Sequence, residues 1–141
     1  MIEPVPLETP LGVLVGRTIE LVEITVTAAP RELLIRGVIW LEGGDRSFTL
    51  RLRGVVSHRV DEYDFSDLPG RANLVELPGS AWLAACRVRD HSAKLGPHHR
   101  HLALRTYDDV IEALCTDHEL ELGPPRPRDL DPDPTLLADE V

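Results

Sequence analysis

A mainly β domain is what this sequence predicts, an antiparallel meander forming a sandwich or open barrel with at most one or two short helices. Two observations carry that expectation. Apolar residues recur with a period of two through the first half of the chain, the spacing of a sheet with one buried face. Glycine and proline break these runs at short intervals, as turns between strands do. The composition agrees: 141 residues with 43% apolar and 28% charged content suit one globular domain large enough to bury a core without disulfide staples.

The first strand lies in "GRTIELVEITVTAAP". Ile19, Leu21 and Glu23 fall on one face and Val22, Ile24 and Val26 on the other, so the segment reads as apolar in part on both sides. Pro30 ends it at a turn. In "RELLIRGVIWLEGGD" a β-branched run is interrupted at Gly37, which marks a bulge or a close backbone approach. Gly43 and Gly44 then supply the turn of a tight hairpin. The third strand, "RSFTLRLRGVV", alternates cleanly, with Phe48, Leu50 and Leu52 opposite Thr49, Arg51 and Arg53. These three strands form a meander over residues 17–56.

The stretch "SHRVDEYDFSDLPGRAN" reads as a solvated acidic loop, because Asp61, Glu62, Asp64 and Asp67 lack the glycine and terminal glutamate of a calcium loop. "LVELPGSAWLAACRVRD" reads as a strand pair or a bulged strand around Pro78 and Gly79. Trp82 and Trp40 are expected in the core. Cys86 and Cys115 sit in apolar surroundings and are expected as reduced, buried thiols rather than a disulfide framework or a zinc site.

One segment departs from its surroundings. "RVRDHSAKLGPHHRH" sets Arg87, Arg89, Lys94 and Arg100 against Asp90 alone, within a chain whose formal net charge is -9. Such a local reversal of sign is a solvated face, an edge that meets an acidic partner, or a compact anion site. The residues that would hold an anion or phosphate are Arg87, Arg89, His91, Lys94, His99, Arg100, His101 and Arg105, since guanidinium forks give bidentate, charge-assisted hydrogen bonds. If "HHRHLALRTY" is extended, Leu102 and Leu104 point inward while His99, His101 and Arg105 project together outward. A His-x-His pair suits a metal only with a third converging ligand. The sequence fixes none, so no metal and no cofactor is assigned.

Catalytic signatures are weak. The residue types of a triad occur in Asp90–Ser92, but neighbours in an extended segment splay to opposite faces. Ser57 with His58 lacks an acid, and Asp108 with Asp109 need burial to separate their pKa values. No catalytic residue is assigned, and the chain reads as a non-enzymatic protein more readily than as an enzyme.

Residues 106–122, "TYDDVIEALCTDHELEL", fit two patterns. Thr106 with Asp109 resembles a helix-capping box, while Ile111, Ala113 and Cys115 alternate as a strand, followed by Leu120 and Leu122 among glutamates. A His-led strand followed by "TYDDVIEALC" and "HELEL" resembles the end of small bacterial β-rich domains similar to immunity proteins of polymorphic toxin systems. The resemblance covers only that C-terminal part of the domain. It implies an extended Val110–Cys115 and a protein that works by binding.

Residues 124–141 are rich in proline and aspartate without apolar period, which predicts a flexible tail after a domain spanning 1–123. The start has no basic region followed by a long apolar core, and no run reaches about 18 apolar residues, the length of a membrane span. The expectation is therefore a cytoplasmic protein without membrane contact; the resemblance implies a bacterial one, and the acidic charge argues against nucleic acid. Its partner would be a protein, a basic toxin or a regulator; the alternative is a small phosphate-containing ligand at the 87–101 segment. Open sheet edges leave room for a homodimer.

Overall fold

Two antiparallel sheets face each other across one apolar core in the computed structural model, which describes residues 3–28 and 30–126. The strands are β1 (Val5–Pro6), β2 (Ile19–Ala28), β3 (Arg31–Ile39), β4 (Arg46–Arg53), β5 (Ser57–Glu62), β6 (Leu74–Glu76), β7 (Arg100–Arg105), β8 (Asp109–Cys115) and β9 (Asp117–Leu122). The only α-helix among the described residues is α1 (Ala81–Arg89), and a 3-10 turn covers Tyr63–Phe65. One sheet runs β1-β6-β7-β8-β5 and the other β2-β3-β4-β9. No barrel closes. The expected tail lies mostly outside the described residues; Arg126, near its start, pairs in a single bridge with Asp45.

The core follows from alternation. Leu33, Ile35, Ile39, Phe48, Leu50 and Leu52 of one sheet meet Leu74, Leu102, Leu104, Ile111, Ala113 and Cys115 of the other. Each fully buried aliphatic side chain stabilises the fold by roughly 1.5–3 kcal/mol relative to exposure. Leu120 and Leu122 of β9 pack on the same core. Burial pushes the Cys115 thiol up to about 12, so it stays protonated and inert at neutral pH.

Three expectations change on inspection of the strands. The two-sided apolar pattern of β2 has a cause: its register with β3 slips between Leu21 and Glu23. The extra residue at this bulge lets Ile19 and Leu21 before it, and Ile24 after it, share the inner face, while Val22 is left exposed. Gly37 lies opposite, and a Cβ there would sit 2.1 Å from the Glu20 carbonyl oxygen and 2.8 Å from Phe48 Cε1. Secondly, the acidic stretch is not all loop, since Ser57–Glu62 pair with Asp109–Leu114. Thirdly, "AWLAACRVR" is helix rather than strand. Ser80 caps it by accepting a hydrogen bond from the Leu83 amide at 3.1 Å, Gly79 takes φ +64° just before it, and Arg87 and Arg89 sit in its last turn, where cations favour the helix dipole.

The ambiguous segment resolves to strands. Val110–Cys115 lie within β8, and Thr106 caps the β7–β8 turn by accepting the Asp109 amide at 3.0 Å. Both tryptophans are half-buried rather than in the core: Trp40 meets Tyr107 edge-on and Trp82 meets His101 edge-on.

Candidate functional site

Strand alternation disperses the cationic segment. Arg87 turns back to the carbonyls of Leu95 and Gly96 at 3.5 and 3.1 Å, and Arg89 reaches Cys86 Sγ at 3.6 Å. Asp90 accepts the amides of Leu95 and Lys94 at 2.8 and 2.9 Å; these hydrogen bonds hold its carboxyl below the usual range. His91 and Lys94 are exposed. His99 precedes β7: its Nδ1 accepts the Gly96 amide at 2.8 Å and its Nε2 donates to the Gly54 carbonyl at 3.0 Å.

Arg100 points to the space between the sheets, where it pairs with Glu76 at 2.9 Å and donates to His118 Nδ1 at 3.1 Å. Burial first, and then the Arg100 charge, lowers the His118 pKa. Arg105 is buried on the outer face of its sheet, donating to the carbonyls of Leu68, Pro69 and Gly70. His99 and His101 therefore do not project together. Among the described residues no group of three or more His, Cys, Asp or Glu is placed to hold a metal ion.

What the fold does assemble is a cleft of about 490 Å³ over the outer face of β5, β8 and β7. Helix α1 forms one wall and residues 65–69 another. At its base three side chains line up. Ser80 Oγ lies 2.6 Å from His101 Nδ1, and His101 Nε2 lies 2.7 Å from Glu112 Oε1. Arg59 donates to both Glu112 oxygens at 2.9 and 3.3 Å. The His101 and Glu112 side chains are only 4% and 7% exposed. Trp82 packs against both, with the His101 ring centroid 5.0 Å away edge-on and the Arg59 guanidinium 4.3 Å over the indole.

The electrostatics set the proton positions. Burial pushes the Glu112 carboxyl up, but the hydrogen bonds from His101 and Arg59, together with their charge, outweigh it and hold the group at about 2. An ionised carboxylate only accepts, so Nε2 of His101 carries a proton toward it. In the neutral form of the ring with that tautomer, Nδ1 keeps a lone pair facing Ser80, and the Ser80 hydroxyl then donates to it.

Sequence reading singled out His101 but not its partners. Ser80 and Glu112 are separated from it by 21 and 11 positions, and each had an ordinary role, a turn residue and a strand polar residue. The available signal was the buried strand "DVIEALC", where a lone glutamate among apolar residues requires a partner.

A second concentration lies at one end of the sandwich. Asp61 and Asp67 line the cleft, while Glu62 and Asp64 come beside Asp108 of the β7–β8 turn and Asp109 at the start of β8, because the Tyr63 amide donates to the Asp108 carbonyl at 2.7 Å. Arg17 sits among them, 4.0 Å from Asp108 and with its guanidinium over the rings of Tyr63 and Tyr107 at 4.8 and 4.1 Å. Phe65 is 78% exposed at the rim of the cleft.

No protein-family model, curated protein or solved structure matches this chain. No helix among the described residues is long and apolar enough to cross a membrane.

Proposed function

We propose that this protein acts by binding a basic protein partner, in an immunity-like or regulatory role, through its acidic and aromatic end. The supporting observation is Phe65, 78% exposed beside the cleft carboxylates Asp61 and Asp67, one residue after Asp64, which with Glu62 meets Asp108 and Asp109. A large exposed aromatic ring gives an interface its anchor, and surrounding like charges speed the approach of an oppositely charged partner. The overall charge of -9 acts in the same direction. The alternative, an anion site on the 87–101 segment, has less support, because Arg87, Arg100 and His101 already spend their hydrogen bonds within the protein.

The test is co-expression with the products of adjacent genes, followed by titration of any complex formed by a basic protein among them. The reading expects affinity to fall at least tenfold in Phe65→Ala, and association to slow as salt rises and in Asp64→Lys. A complex indifferent to both changes, or no complex with any such neighbour, overturns it. Stabilisation by phosphate or ADP that is lost in Arg87→Ala would instead favour the anion site.

A further inference from the structure

We propose that Ser80 is a nucleophile, with His101 as its general base and Glu112 as the residue that positions His101, and that the cleft hydrolyses small carboxylic esters. This reading is independent of partner binding. It rests on the contiguous 2.6 and 2.7 Å contacts and on the cleft that all three side chains line.

The local fold explains why Ser80 can do this. It sits where β6 gives way to α1, after Gly79 with its positive φ, so a half-buried hydroxyl is presented at a helix N-terminus. The Leu83 amide donates to Oγ at 3.1 Å; this uses a lone pair and leaves the hydroxyl proton for His101. The amides of Ala81 and Trp82, in the first turn, have no acceptor within the helix. They are available to a developing oxyanion. Either imidazole nitrogen can serve as a base when the other is held by an acid, and here the base is Nδ1 and the held atom Nε2. Arg59 fixes the carboxylate through both oxygens, which keeps the ring from turning away.

The chemistry balances without a cofactor. Oγ of Ser80 bonds to the ester carbonyl carbon as its proton passes to His101 Nδ1, and the carbonyl electron pair moves to oxygen. Collapse breaks the carbon–alkoxy bond, and the departing alcohol takes the proton from Nδ1. A water molecule then attacks the acyl-serine, giving its proton to His101, and release of the carboxylic acid returns the proton to Ser80. Leu68, Pro69, Leu77, Pro78 and Trp82 in the cleft suit a short apolar acyl group. The carboxylates of Asp61 and Asp67 on the same walls disfavour an anionic ester, so the substrate class is neutral or cationic.

The experiment uses a fluorophosphonate probe and p-nitrophenyl acetate on the full chain, with intact mass, peptide mapping and initial rates. The expected result is one adduct, on Ser80, and ester turnover that falls on the order of 100-fold or more in His101→Gln. Ser80→Asn keeps a side chain able to cap α1, so a folded variant that neither labels nor turns over separates chemistry from stability. Glu112→Gln should lower the rate at least tenfold and displace its pH profile, which a purely structural link would not do. No adduct on the folded native protein, or labelling of Ser80 that persists in His101→Gln, overturns the proposal. Neither outcome bears on the Phe65 binding test.

Discussion

The outer faces of the two sheets begin from the same rule of alternation and end differently. On β3, β4 and β9 the outward residues form a ladder in solvent: Glu32 pairs with Arg51 and Arg53 at 3.7 and 3.3 Å, and Arg53 with Glu119 at 3.3 Å. On β7 and β8 the outward residues His101, Arg105 and Glu112 are covered by α1 and by the segment that Arg105 holds through its carbonyls. The same residue types are weakly coupled on one face and strictly partnered on the other. Desolvation is the difference: a buried charge must find every hydrogen bond inside the protein, whereas a solvated one exchanges partners with water at little cost.

That contrast can be broken most severely at Arg105. Arg105→Met removes the donors to three loop carbonyls while keeping most of the apolar stem, and should destabilise the protein by about 3–5 kcal/mol in a denaturant titration. A loss under about 1 kcal/mol would mean that the covered face behaves like the open one.

Acid should separate the faces next. Glu112 has its pKa depressed from 4.5 to about 2, so its stabilisation is present above the unfolded value and is lost as pH falls through the folded one. The wild type should lose roughly 3 kcal/mol from this group between pH 4.5 and 2. Glu112→Gln should show a flatter dependence across that window, checked by thermal unfolding at successive pH values.

A glycine tests the packing of the open sheet beneath its ladder. Gly37→Ala places a methyl group against the Glu20 carbonyl and the Phe48 ring, and should cost about 1–3 kcal/mol, measured by the same titration. An unchanged midpoint would show that the β2 bulge can yield. The smallest effect belongs to the ladder itself: Arg53→Ala should cost less than about 1 kcal/mol and almost nothing in molar salt.

Much of this architecture was legible because period two is a local signal. The meander over 17–56, the inward Phe48, Leu50 and Leu52, and the inward Leu102 and Leu104 all follow from alternation within single strands. The helix was missed because Pro78 and Gly79 read as a turn inside a strand, whereas they precede a serine cap. The face of β2 was ambiguous because one bulged residue reverses the parity of all that follow. The histidine cluster looked like one feature because its members are adjacent in sequence, yet His98 lies in a turn and His99 precedes β7. Arg100 and His101, consecutive on β7, then point to opposite sides of the sheet.

The sequence by itself determined the β-rich class, the inner faces of most strands, the inert surroundings of Cys115 and the acidic balance of the surface, since each depends on composition or on neighbours along one strand. Only tertiary structure decided that Ser80, His101 and Glu112 meet, that Arg105 anchors a loop, and that Glu62 and Asp64 join Asp108 and Asp109. Each of these depends on which strands pair and on what covers the outer face, and those pairings are made between residues far apart in the chain.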